Sequence, residues 1–160
     1  MKITGNKIYE LLQLWGTRKD SLETEFDDAL MVFENEEKRS PADIERELMD
    51  AEDAVVTLQN AQRAFNRQVK TRDGASLDAA IKLQGTLKRA VRRWTKALQS
   101  SGYERYTRSK EMDYAKPTIK KDDVKKMIEK YTKDLLALRS AIGDANGVAL
   151  ELDIPDSLTS

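Results

Sequence analysis

The stretch from Tyr103 to Tyr114 reads Tyr-Glu-Arg-Tyr-Thr-Arg-Ser-Lys-Glu-Met-Asp-Tyr. Three tyrosines, two arginines, a lysine, a serine and a threonine fall within twelve positions. Arg105 and Arg108 can each fork onto two phosphate or carboxylate oxygens. The hydroxyls of Thr107 and Ser109 can donate to the same anion, and Lys110 adds a point charge. Tyr103, Tyr106 and Tyr114 can stack on a base or bond a ribose. In an extended backbone, Tyr106, Arg108, Lys110, Met112 and Tyr114 share one side, and Thr107, Ser109, Glu111 and Asp113 share the other. One side is then aromatic and cationic, suited to a nucleotide. The competing reading is a strap between subunits, with the tyrosines packed and the arginines paired to acids.

Other chemistry finds little support. The 160 residues include no histidine and no cysteine, so the commonest general base, thiolate metal ligands and a disulfide framework are absent. Acids are so abundant that a pair such as Glu104 and Glu111 is unspecific for glycoside chemistry. No glycine-rich phosphate loop or zinc signature occurs. The chain is expected to be no enzyme and to need no cofactor or metal. The opening residues Met1-Lys2-Ile3-Thr4-Gly5 lack the apolar core of a signal peptide, and no run approaches the ~18 apolar residues of a membrane span. A cytoplasmic protein with no membrane partner is expected.

Helices must hold the motif in place. Apolar content is 39% and charged content 35%, which suits long helices with narrow apolar stripes. Helix one is expected from Gly5 to about Glu36, capped by Thr4, with a seam of Ile8, Leu12, Trp15, Lys19, Leu22, Phe26, Ala29 and Phe33. Ser40, Pro41 and Asp43 form the best helix start in the chain. Helix two follows with Ile44, Leu48, Ala51, Val55, Leu58, Gln62 and Phe65, and ends near Val69. The short connection predicts an antiparallel pair. Thr71-Arg72-Asp73-Gly74 predicts a turn with positive φ, and Ser76 caps helix three. Leu77, Ile81, Gln84, Leu87, Val91, Trp94 and Leu98 make the inner face of that helix. Gly85 would mark a close approach of another backbone.

Ser100-Ser101-Gly102 ends helix three, the segment at about 103–116 is extended, and Pro117 closes it. Helix four starts at Thr118 or Asp122, with Val124, Ile128, Tyr131, Leu135, Leu138 and Ile142 inward and Gly143 and Gly147 loosening its end. The fold class is all-α, four long amphipathic helices in two antiparallel hairpins. One helical domain spans 1–147. A tail, 148–160, either straps onto it or hangs free.

Net charge is zero but unevenly placed. Residues 1–60 carry 7 Lys/Arg against 15 Asp/Glu, residues 61–133 carry 20 against 8, and residues 134–160 carry 1 against 5. The basic middle surrounds the motif. It marks either an anion-binding surface or charge complementarity between helices or subunits. The stripe from Lys82 to Lys96 has the charge for duplex DNA, but no recognised reader accompanies it, so nucleic acid is the weaker partner.

The chain resembles the small bacterial helical family often labelled septicolysin. Asn66-Arg67, Thr71-Arg72-Asp73-Gly74 with Ser76-Leu77 and Ala80, and Pro117-Thr118-Ile119 with Val124 carry the likeness, as does Asn146. Its most specific part is Arg105-Tyr106-Thr107-Arg108-Ser109-Lys110, where the family has an Arg-Tyr-Ser-Arg-Ser-Glu run. Lys110 departs from the family's acid, and helix three is more basic here. The resemblance covers nearly the whole chain. It implies an all-helical homo-oligomer, a hexamer on that reading, with no established activity.

Arg67, Thr71 and Asp73 form a second polar group at the turn between helices two and three. Helix three would hold it ~35 Å from Tyr103 within one subunit, so the two groups could meet only across a subunit boundary. The expected function is non-catalytic sequestration of a small anionic ligand. A nucleotide-type signal fits best, a cyclic nucleotide or an ADP-ribose derivative. Phage anti-defence sponges offer an analogy of size and style, without sequence match. The alternative is an interaction oligomer whose basic-aromatic motif only joins subunits.

Overall fold

The computed structural model describes residues 1–31, 36–99 and 119–159. Tyr103, Arg105, Tyr106, Thr107, Arg108, Ser109 and Lys110, with the whole expected extended segment at 103–116, lie outside the described residues. Among the described residues the order is β1 (Lys2–Thr4), α1 (Gly5–Ala29), α2 (Pro41–Gln68), α3 (Leu77–Gln99), α4 (Lys121–Asn146) and β2 (Ala149–Glu151), then a short 3-10 turn at Asp156–Leu158. The chain is mostly helical, as its periodicity predicts, with one two-stranded sheet that the periodicity does not show.

Two compact units emerge, one from Met1–Lys70 with Ala145–Ser160, the other from Thr71–Asp144. In the first, Thr4 caps α1 by accepting the Lys7 N–H at 3.2 Å. Ile8, Ile44, Leu58 and Phe65 are fully buried. Leu22, Ala29, Ile44 and Ala51 cluster with Trp15, Phe26 and Leu48 packed on them. The α1 seam differs by one position from the expected heptad: Leu11 is buried and Leu12 only half-buried. Lys19 occupies its seam position by turning its ammonium out to Glu23 at 3.0 Å.

α1 ends at Ala29, short of the expected Glu36. The last residue of the expected seam, Phe33, lies outside the described residues. Lys38 donates to the carbonyl oxygens of Asp28 and Met31, both at 2.9 Å, and so satisfies the acceptors a helix end leaves open. Arg39 bridges Glu25 of α1 and Glu47 of α2. Ser40 holds the N-cap position of α2 without a side-chain bond, and Pro41 begins the helix.

The tail is a strap. β2 pairs antiparallel with β1, Lys2 facing Glu151 and Thr4 facing Ala149. The Met1 amino group donates to Leu152 O at 2.7 Å, and Leu152 N–H returns to Met1 O at 2.9 Å. Leu152 and Ile154 are buried, and the Trp15 indole donates to Leu158 O at 3.1 Å. At Gly5 the chain passes too close for any side chain. A Cβ there would lie 2.7 Å from the Phe65 ring and run into the Asn146 amide oxygen.

In the second unit, Leu77 and Val124 are fully buried and Ala80, Ala90 and Ile142 nearly so. α4 starts at Lys121, between the two expected starts Thr118 and Asp122, with Lys120 O accepting from Asp123 and Val124. It continues through Gly143 to Asn146. No helix among the described residues is long and apolar enough to cross a membrane.

Candidate functional site

The turn that opens the second unit is built from its own residues. Gly74 sits at φ 84°, where L side chains are strained, and its N–H donates to Thr71 O at 2.9 Å. Thr71 N–H donates to Ala75 O at 2.9 Å. The Thr71 hydroxyl is buried and reaches both the Asp73 carboxylate and Ala75 O, the latter at 3.1 Å. That hydroxyl, then backbone N–H groups at Ala75 and Asp73, hold the Asp73 carboxyl below the usual carboxylate range. Thr71 and Asp73 thus brace the loop. Ser76 accepts the Ala79 N–H at 3.2 Å and caps α3, as its position predicts. Arg72 points to Asp144 at 3.3 Å on α4. Arg67 belongs to the first unit, exposed in the last turn of α2.

α3 carries the strongest charge feature. Lys82, Lys88, Arg89, Arg92, Arg93 and Lys96 are all exposed. At 100° per residue they fall within an arc of about 140° and span roughly 21 Å of helix. Asp78 takes Lys82 at 2.7 Å. Among the described residues Arg89 reaches only the Thr86 hydroxyl, at 3.1 Å. Lys88, Arg92, Arg93 and Lys96 have no salt-bridge partner among the described residues. Opposite them lies the apolar face. Leu83 on that face is 50% exposed, so the face is only partly covered, while Ile81, 38% exposed, sits at the edge of the basic arc. Beside it runs an open groove of about 480 Å³ between α3 and α4, floored by Leu83, Leu87, Ala137 and Leu138 and edged by Arg72, Asp73 and Asp134.

The two units differ in sign. The first carries 10 Lys/Arg and 18 Asp/Glu, a net of −8; the second carries 18 and 10, a net of +8. The boundary between acidic and basic chain falls at the boundary between folded units.

A second groove, of about 520 Å³, lies between α1 and α2. Gln13, Gly16, Thr17, Gln59 and Gln62 line it with Tyr9, whose hydroxyl accepts from the Gln13 amide at 2.9 Å. Apart from Gln62, a seam position of α2, none of these residues stands out by sequence pattern. Gly16, a glycine inside a strong helix, is the one available signal, and among the described residues nothing lies within 4 Å of where its Cβ would be.

No family model matches the chain, and no curated protein matches it. A solved structure does. The crystal structure of a functionally unknown conserved protein from Corynebacterium diphtheriae aligns with a TM-score of 0.77 over 94% of this chain and 100% of that chain, at 19% sequence identity. The fold is shared. At that identity the likeness extends to the fold alone.

Proposed function

We propose that the protein is a non-catalytic, cytoplasmic binder that sequesters a small anionic ligand, most fittingly a nucleotide-type signal, as a homo-oligomer. The observation that carries this reading is the concentration of positive charge in the second unit, above all on the exposed face of α3, where Lys88, Arg92, Arg93 and Lys96 have no salt-bridge partner among the described residues. In sequence the Arg105–Lys110 motif follows α3 and offers forked donors, hydroxyls and stacking rings. The resemblance to the septicolysin-labelled family supports an all-helical homo-oligomer with a hexamer as the expected state, and the short helix connections in the sequence support two hairpins per chain.

Thermal melts against a panel of cyclic nucleotides and ADP-ribose derivatives test it. A ligand at 100 times its Kd adds ~2.7 kcal/mol, a rise of several degrees for a chain this size. Arg105→Ala/Arg108→Ala should lose that rise and keep the oligomer. Ligand recovered unchanged after incubation excludes turnover. No shift with any member of the panel sinks the reading.

A second reading has its own support. The partly covered apolar face of α3 and the exposed Leu136 of α4 suit a protein whose role is assembly. Under it, Arg108→Ala breaks the oligomer in gel filtration and no nucleotide shifts the melt.

A further inference from the structure

The basic face of α3 has a counterpart on α2. Glu45, Asp50, Glu52 and Asp53 are exposed on α2 and have no salt-bridge partner among the described residues, Glu52 acting only at longer range on Lys19 of α1. Between them stand two large apolar side chains, Met49 at 61% and Val56 at 54% exposure. Glu45, Met49, Glu52 and Val56 follow a four–three–four spacing, so they form a single outward ridge. On α3, Ile81, Gly85, Lys88 and Arg92 follow the same spacing along the edge of the basic face. Gly85 is unexplained within the described chain. A Cβ there would meet only the flexible tip of Arg89, at 3.5 Å, and a glycine inside a helix is destabilising relative to alanine. A glycine on an exposed ridge lets a second helix come near.

We infer that the basic face of α3 docks on the acidic face of α2 in a second copy of the chain. Met49 and Val56 then cover Ile81 and Gly85, and Glu45 and Glu52 meet Lys88 and Arg92. Two observations favour a second copy over a nucleic-acid backbone. A phosphate backbone makes no use of the exposed Met49, Val56 and Ile81, whereas protein partners bury such side chains at the centre of their contacts. The first unit, at −8, repels a polyanion, while it attracts the +8 unit of another copy. A contact between different faces of two copies propagates into a ring if its rotation closes. The inference rests on the oligomer of the proposed function and is independent of its ligand.

The test is a charge swap read by light scattering coupled to gel filtration in 0.1 M salt. Lys88→Glu/Arg92→Glu and Glu45→Lys/Glu52→Lys should each self-associate at least about tenfold more weakly than the parent. Circular dichroism checks that both keep their helix content. A one-to-one mixture of the two variants should reassemble, because each reversed face then meets its complement. Gly85→Met, whose Cβ would meet only the Arg89 tip among the described residues, should also weaken association. In 1 M salt the parent should dissociate at lower dilution, since screening then acts over ~3 Å. Variants that keep the parent mass, or a mixture that fails to reassemble, overturn the interface and leave the oligomer standing. A parent that is monomeric throughout overturns both. Nucleic acid that co-purifies with the parent, is lost in Lys88→Glu/Arg92→Glu and leaves the mass unchanged assigns the face to a polyanion instead.

Discussion

Gly5 and Gly16 show how differently two glycines in one helix can behave. The chain at Gly5 is wedged against the Phe65 ring and the Asn146 side chain. Gly5→Ala should therefore destabilise the protein by about 1–3 kcal/mol, as overpacking does, seen as a lower midpoint in urea. At Gly16 there is open space, so Gly16→Ala should gain helix propensity and stabilise by up to about 1 kcal/mol in the same measurement. The Thr71–Asp73 contact gives a pH signature. The folded-state pKa of Asp73 is depressed, so its contribution is present above the ordinary carboxylate value and is lost as pH falls through the depressed one. Thr71→Val should flatten that acid limb of a stability-versus-pH curve and leave the neutral region parallel to the parent. An acid limb of unchanged slope would show that Thr71 does not hold the Asp73 charge.

At the scale of elements, the strap does more than its few residues suggest. Leu152 and Ile154 are buried and β2 covers β1. Burying two such side chains stabilises by about 3–6 kcal/mol, against which the ordering of the strap must be set. Truncation after Gly147 should expose Ile3, lower the melting temperature by several degrees and raise binding of a hydrophobic dye. The helices themselves were legible in sequence because their periodicity and stop signals are strong. Ser40-Pro41, Thr4 and the Asp73-Gly74 turn mark real boundaries. The end of α1 was not legible. Its stop is made by Lys38, about two turns downstream, and a long-range cap leaves no local mark. The two strands escaped notice for a similar reason. Three residues each are too few to show a period of two, and their pairing joins residues 2–4 to residues 149–151.

For the whole molecule, the sequence showed a basic middle, and the structure shows that it coincides with a folded unit. That coincidence was hidden because the unit boundary at Ala145 lies inside α4, which reads as one uninterrupted seam. The candidate site was legible only as residue chemistry. Thr71 and Asp73 have their hydrogen bonds within the turn, and the glutamine-lined groove at Gly16 has no sequence pattern to announce it. The first unit has its own core in Ile8, Ile44, Leu58 and Phe65, and Gly5 touches the ends of both α2 and α4. Residues 1–70 joined by a short Gly/Ser linker to residues 145–160 should therefore melt cooperatively and keep a helical circular dichroism spectrum. A broad, non-cooperative melt would show that the first unit depends on the second.

Because the first unit is assembled from residues 1–70 and 145–160, the order of synthesis matters. The ribosome releases β1, α1 and α2 first, and then makes the 74 residues of Thr71–Asp144 before the strand that completes the sheet. At ~5–20 residues per second that interval is roughly 4–15 s. During it Ile3 and one edge of β1 have no partner, in a nascent chain whose helices can already pack. Newly made chains are thus open to capture by one another through that edge, and an uncovered strand that finds the wrong β2 yields a domain-swapped pair.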